Sequence, residues 1–159
     1  MYDIEKIRSE INLLPEYKFQ ISLQTVEGCT DPFYGTGAIV DPKDFPTYQD
    51  AQKAAAVLEK TFIHPMFPEL EYINSILEEL KMYRTRVMKL IPGKCYNYHQ
   101  DSTKRMHIPV QTNEDCFLII DDVVHRYPAD GNNYEVNTLL KHTAVNAGRE
   151  ERIHIVGCI

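Results

Sequence analysis

No segment of this chain is long and apolar enough to form a membrane-spanning helix. Its purely apolar runs, such as Phe117 to Ile120, extend over only a few residues, whereas a spanning helix needs about 20. Positive charge is also in short supply. The formal net charge is -6, which repels a nucleic acid unless basic residues concentrate in one place. The nearest approach, Lys81, Arg84, Arg86 and Lys89, is too short a cluster to serve. The four cysteines (Cys29, Cys95, Cys116, Cys158) stand far apart and form no CxxC pair. That spacing argues against a zinc knuckle and leaves reduced, partly buried thiols as the expectation. Internal repeats and low-complexity stretches are absent. The N-terminal MYDIEKIRSE is charged and lacks an apolar signal core, so cytoplasmic residence is expected.

What is present fits one domain over residues 1–159. The chain divides into unlike halves. Residues 1–81 read as helical and loop support. Ile4, Ile7, Ile11 and Leu14 recur at spacings of three and four, predicting a helix over Asp3 to Leu14 that Pro15 stops. Tyr17 to Thr25 alternates apolar and polar residues, as a strand does. Residues 28–47 carry Gly28, Pro32, Gly35 and Gly37 and read as a long loop, of the kind that borders binding sites. Further helices are predicted over Ala51 to Lys60 and Glu69 to Lys81, the second with Leu70, Ile73, Ile76, Leu77 and Leu80 on one face. From 82 to 157 the pattern changes to short β-rich runs at 82–90, 94–99, 105–110, 115–120, 122–127, 134–140, 142–146 and 151–157. Eight such strands divided by turn signals predict a jelly roll, mainly β, with the N-terminal helices buttressing its outside.

The stretch Tyr96-Asn97-Tyr98-His99-Gln100-Asp101 is the most informative. On a strand, residues two apart share a face, so His99 and Asp101 are expected to project inward together. An imidazole beside a carboxylate supplies two ligands of the 2-His-1-carboxylate triad that suits non-haem Fe(II). His142, after an apolar strand, is the candidate third ligand. Ten residues on, Arg152 stands in the alternating run Arg152-Ile153-His154-Ile155-Val156. A buried arginine there needs an anion, and its planar fork matches a carboxylate such as the distal one of 2-oxoglutarate. Each residue alone has a bland reading: an HxD is common by chance, a lone His142 is ordinarily a surface or satisfied histidine, and Arg152 alone suits a surface ion pair. Their order inside one β-rich half is what raises the metal reading.

The stretch from Met82 to Val156 resembles the 2-oxoglutarate oxygenases of the aspartyl/asparaginyl β-hydroxylase-like group. The matching elements are Leu90-Ile91-Pro92-Gly93, His99-Gln100-Asp101, Arg105-Met106-His107-Ile108-Pro109, His142-Thr143-Ala144-Val145-Asn146 and Arg152. The resemblance implies a double-stranded β-helix, or cupin-like roll. It implies iron at His99 and His142, a grip on the 2-oxoglutarate side-chain carboxylate by Arg152, and Arg105 and His107 beside the co-substrate. Vertebrate peptide hydroxylases of the group lack the carboxylate ligand. With Asp101 and its Arg-x-His-x-Pro segment, this chain is more similar to the bacterial free-proline hydroxylases.

The function these readings imply is an Fe(II)- and 2-oxoglutarate-dependent dioxygenase. It would use O₂ to hydroxylate an unactivated C–H of an amino-acid-type substrate, free or within a peptide, releasing succinate and CO₂. A small zwitterionic or carboxylate-bearing substrate would be held by Arg84 or Arg86, which share a strand face with Met88. Asn146, four residues past His142, is a further candidate for the site. His154 is expected to be a satisfied core histidine, His64 and His125 to lie at the surface, and Tyr96 and Tyr98 to pack outside the roll against a helix. Two alternatives stay open: a non-catalytic metal-binding β-roll module, and a cupin-type metalloenzyme that does not use 2-oxoglutarate. Oligomeric state is not legible in the residues.

Overall fold

In the computed structural model, which describes residues 1–159, each helix starts where the sequence supplies a cap. Asp3 accepts the Lys6 backbone N–H and opens α1 (Ile4–Ile11). Thr47 accepts the Asp50 N–H and opens α2 (Tyr48–Glu59), three residues before the expected start. Leu70, at the start of α3 (Glu71–Glu79), offers no side-chain cap. The cap comes instead from α1: the Glu10 carboxylate accepts the N–H groups of Tyr72 and Ile73, both at 2.8 Å. No helix is long and apolar enough to cross a membrane.

The N-terminal strand is broken in two. β1 (Gln20–Ser22) and β2 (Gln24–Thr25) part at Leu23. Beyond that point the side chain of Gln24, not its backbone, satisfies the next strand, donating to Met82 O and accepting from Thr85 N. β2 is thereby freed to pair with β3 (His64–Pro65). Eight strands follow: β4 (Tyr83–Leu90), β5 (Lys94–Cys95), β6 (Arg105–Gln111), β7 (Cys116–Ile120), β8 (Val123–His125), β9 (Tyr134–Val136), β10 (His142–Asn146) and β11 (Arg152–Cys158). They form two antiparallel sheets, one ordered β1-β4-β11-β6-β9 and the other β5-β10-β7-β8. A chain that visits two facing sheets in this order is a double-stranded β-helix, so the expected mainly-β roll with flanking helices is present. β5, β8 and β9 are shorter than the runs that announced them.

The faces of the five-stranded sheet divide the labour. Val87, Ile108, Val110 and Ile155 turn outward and form one core with Ile7 and Ile11 of α1 and Ile73, Ile76 and Leu77 of α3. The inner core is much smaller: Leu90 and Val136 from this sheet against Leu118, Ile120 and Ala144 from the other. By alternation along the strands, the rest of the inner face falls to Arg86 and Met88 on β4, Arg105 and His107 on β6, and Arg152, His154 and Val156 on β11. Stability therefore comes mostly from the outer face, which leaves the interior for polar groups.

The helix α2 packs differently. Its buried residues, Ala51, Ala55 and Glu59, recur every four positions on one face, and that face lies over the open end of the roll. The Glu59 carboxylate, 1% exposed, pairs with Arg84 Nη1 and Arg105 Nη2, both at 2.7 Å. It also accepts from Ser102 Oγ at 3.1 Å and Thr103 Oγ1 at 2.8 Å. Burial opposes its ionisation, but Arg105, Thr103 and Arg84 outweigh that and hold the carboxyl below its ordinary value of 4.5.

Removing one partner from such a buried network leaves the others uncompensated. Glu59→Gln is expected to destabilise the fold by roughly 3–5 kcal/mol near neutral pH, measured by urea unfolding. Because the folded carboxyl titrates lower than the unfolded one, its contribution is present above the ordinary range and fades as pH falls through the folded value. The gap between wild type and variant is therefore expected to close in acid; a gap independent of pH would refute the charge argument. Glu10→Ala removes two helix-capping bonds and is expected to cost about 1–2 kcal/mol by the same measurement.

Candidate metal centre

His99 and Asp101 lie together, though not by the strand alternation the sequence suggests. Residues 96–104 follow β5 as an irregular connection. What seats His99 is a two-bond bridge to the first residue of β10: His99 N donates to His142 O at 3.0 Å and His142 N to His99 O at 2.8 Å. The two rings come to 4.4 Å between centroids. Asp101 is fixed independently, its N–H donating to Thr138 O at 2.8 Å and its Oδ2 lying 3.1 Å from Arg105 Nε.

Each imidazole has its inner nitrogen committed. Nδ1 of His99 lies 2.6 Å from Asn97 O, and Nδ1 of His142 lies 2.9 Å from Leu140 O. A carbonyl can only accept, so both rings carry a proton on Nδ1 and turn Nε2 to the same point; the Asp101 carboxylate favours a second proton on His99 Nε2, which a metal would displace. The Asp101 carboxylate completes the set, with Oδ1 3.5 Å from His99 Nε2 and Oδ2 3.7 Å from His142 Nε2. The three ligand atoms lie within 4.8 Å of one another. Adjacent ligands of an octahedral ion at about 2.1 Å would be about 3 Å apart, so the donor set and its spacing fit a non-haem metal with open positions. Burial works against the Asp101 charge, yet the hydrogen bond from His99 and the charge of Arg105 hold its carboxyl well below the usual range.

The cluster borders a cavity of about 350 Å³. The inner face of the five-stranded sheet supplies Arg86, Met88, Arg105, His107 and Arg152 to its wall. Arg152, 2% exposed, has no carboxylate partner. Its Nη2 donates to Nδ1 of His154 at 2.9 Å, and His107 Nδ1 lies 3.2 Å from that same atom. A guanidinium has no acceptor, so His154 Nδ1 must accept, and its proton resides on Nε2, a buried atom with no partner. His154 is thus a half-satisfied histidine, not the fully satisfied one expected. Burial, then the charge of Arg152, keeps both His107 and His154 neutral. Burial also pushes the Arg152 guanidinium down to about 10, which leaves it charged at neutral pH.

Arg86 is the second cation in the cavity without a carboxylate. It donates only to Gln20 Oε1, at 3.2 Å, and its Nε has no partner. Burial and the repulsion of Arg84 and Arg105 push it down to about 10. Arg84 does not share its role. A left-handed φ of 47° at Arg84 turns it into a bulge. There its fork is spent on Glu59, Gly35 O and Gly37 O, which leaves nothing for a substrate. Arg105 lines the cavity, but its charge is taken by Glu59 and Asp101 and its remaining donor by Thr103 and Cys158. Asn146 is fully buried and lies outside the cavity. It donates to Leu90 O and Glu150 O and accepts from Gly148 N, so it is a structural clamp rather than a site residue.

Tyr96 also departs from expectation: it faces the cavity near Arg152 instead of packing outside the roll. Tyr98 does lie outside, bonded to Asp122 at 2.9 Å and not to a helix. The N-terminal half does more than buttress. Residues of the 28–47 loop and the Ala51–Ala55 face of α2 form part of the cavity wall, and Tyr48 and Gln52 donate to Gln100 O between two candidate ligands. Glu59 is the residue that sequence reasoning missed. Its signal was there: a charged residue continuing a four-residue stripe of buried alanines.

No curated protein sequence matches this chain significantly. Among solved structures, the plu4264 protein of Photorhabdus luminescens is similar over 46% of this chain and 58% of its own, at 14% identity and a TM-score of 0.39. The chain thus spans a little over half the length of that relative. A cupin domain of Bordetella pertussis is similar over 48% of this chain and 79% of its own, at 18% identity and a TM-score of 0.42. The assignment of the roll stands on its strand order, independent of both. The family model for aspartyl/asparaginyl β-hydroxylases matches residues 55–157, from the end of α2 to the end of β11. The chain is therefore a member of the aspartyl/asparaginyl β-hydroxylase family.

Proposed function

We propose that this chain is an Fe(II)- and 2-oxoglutarate-dependent dioxygenase that hydroxylates an amino-acid-type substrate, free or within a peptide. The observation that supports this most is one shared cavity: His99, Asp101 and His142 converge at its wall, and Arg152 stands buried in the same wall with no anion of its own. Neither feature is economical for folding alone, since a desolvated guanidinium without a carboxylate is a cost. When bound together, iron, 2-oxoglutarate and O₂ supply oxidative decarboxylation to succinate and CO₂, coupled to insertion of one oxygen atom into a C–H bond.

The chain contributes orientation and charge. His99, Asp101 and His142 would hold the ion, their rings kept in one tautomer by Asn97 O and Leu140 O. Arg105, anchored by Glu59, keeps the Asp101 carboxylate turned toward the two Nε2 atoms. Arg152 receives the distal carboxylate of 2-oxoglutarate, with His154 orienting its fork and His107 beside it. Arg86 is paired across the sheet with Val156, four residues along β11 from Arg152, which puts the two arginines roughly 14 Å apart at Cα. That separation suits two different anions, so Arg86 takes the substrate carboxylate.

Binding of 2-oxoglutarate to protein loaded with Mn(II) in place of iron tests the reading by calorimetry. Wild type is expected to bind, and Arg152→Ala to lose roughly 2–5 kcal/mol of that affinity, the cost of truncating one partner of a buried charged pair. Wild-type protein that takes up metal but no 2-oxoglutarate would overturn the proposal.

A further inference from the structure

The charges in the cavity wall do not balance, and the imbalance says what the substrate must lack. Four arginines line it (Arg84, Arg86, Arg105, Arg152) against two carboxylates, Glu59 and Asp101, an excess of two positive charges. Both carboxylates are engaged, Glu59 by Arg84 and Arg105 and Asp101 by Arg105 and the candidate ligands. A divalent ion and the dianion 2-oxoglutarate, on the reading above, cancel each other and leave the excess standing. A substrate ammonium group would enter a wall with no free carboxylate and an uncompensated guanidinium, so a zwitterion would meet repulsion at one end for what it gains at the other.

Two other features describe what the nitrogen should be. Gln20 gives its side-chain oxygen to Arg86 Nη1 and to Gly37 N, which leaves its NH₂ beside the anion site to donate to a carbonyl. The wall next to it is apolar: Ile39, Val40 and Pro42 from the loop, with Ala51 and Ala55 from α2. Apart from Ala55 these residues lie before the start of the family match at 55.

Resting on the oxygenase reading, we infer that the substrate is an N-acylated amino acid with an apolar side chain. Its carboxylate would pair with Arg86, its amide carbonyl would accept from Gln20, and its side chain would lie on the Ile39–Pro42 wall. The group missing from this description is a free ammonium.

The test uses the full chain loaded with Mn(II) and 2-oxoglutarate, titrated with N-acetyl-L-leucine, L-leucine and N-acetylglycine by calorimetry. N-acetyl-L-leucine is expected to bind at least about tenfold tighter than either comparison, the scale set by an unpaired charge or a lost apolar contact. Arg86→Gln should weaken N-acetyl-L-leucine binding at least about tenfold and narrow its preference over L-leucine. Ile39→Ser, at a partly exposed loop position, should reduce the preference over N-acetylglycine. L-leucine binding as tightly as N-acetyl-L-leucine, or N-acetylglycine equalling it, overturns the inference while the oxygenase reading stands. Failure of 2-oxoglutarate itself to bind removes both.

Discussion

The buried carboxylate of Glu59 is the constraint on which the rest of this structure depends. Four arginines sit within one roll, each 7% exposed or less, and mutual repulsion would exclude that arrangement without an anion among them. Glu59 neutralises Arg84 and Arg105 at once and accepts from Ser102 and Thr103, which brings the connection between β5 and β6 under the end of α2. Arg105, so anchored, reaches Asp101. The same ion pair thereby fastens a helix to the roll and orients a candidate metal ligand, which makes stability and site geometry hard to vary separately.

The roll can hold so much charge because its folding energy is gained elsewhere. The large apolar cluster lies between the outer face of the five-stranded sheet and α1 and α3. The inner cluster has five residues. With the inner face relieved of most core duty, its alternating positions are open to Arg86, His107, Arg152 and His154. Two of those side chains, Arg86 and His154, retain a buried nitrogen without a partner. Unsatisfied groups of this kind are a standing cost to the fold, and a ligand that met them would recover it.

Much of this was legible in the residues, for reasons of period. The three-and-four spacing of Ile4, Ile7 and Ile11 and of Ile73, Ile76 and Leu77 announces helices, because a helix returns to the same face at that interval. The short alternating runs after residue 82 announce a two-sheet roll. The candidate ligands were legible as residue types in a fixed order. The boundaries were less so: past Cys95 only Tyr96 N and the His99 bridge still reach β10, and past Val136 the Thr138 carbonyl turns to Asp101 N. The strand argument placed His99 and Asp101 together for the wrong reason, since the bridge to His142 seats the first and Thr138 and Arg105 seat the second.

Sequence by itself determined the fold class, the order of the elements and which side chains could bind a metal or an anion, because those follow from local period and residue chemistry. Tertiary structure alone decided which of those side chains remain free to act. Arg84 and Arg86 are two residues apart and chemically identical, and no local rule separates them. A positive φ and the carboxylate of a residue 25 positions away consume the first, while the second meets only a glutamine. Asn146 and Glu59 are settled in the same way, one drawn into backbone clamping and the other into the ion network. Charge pairing acts through space between segments distant in the chain, so its outcome is fixed only when the fold closes.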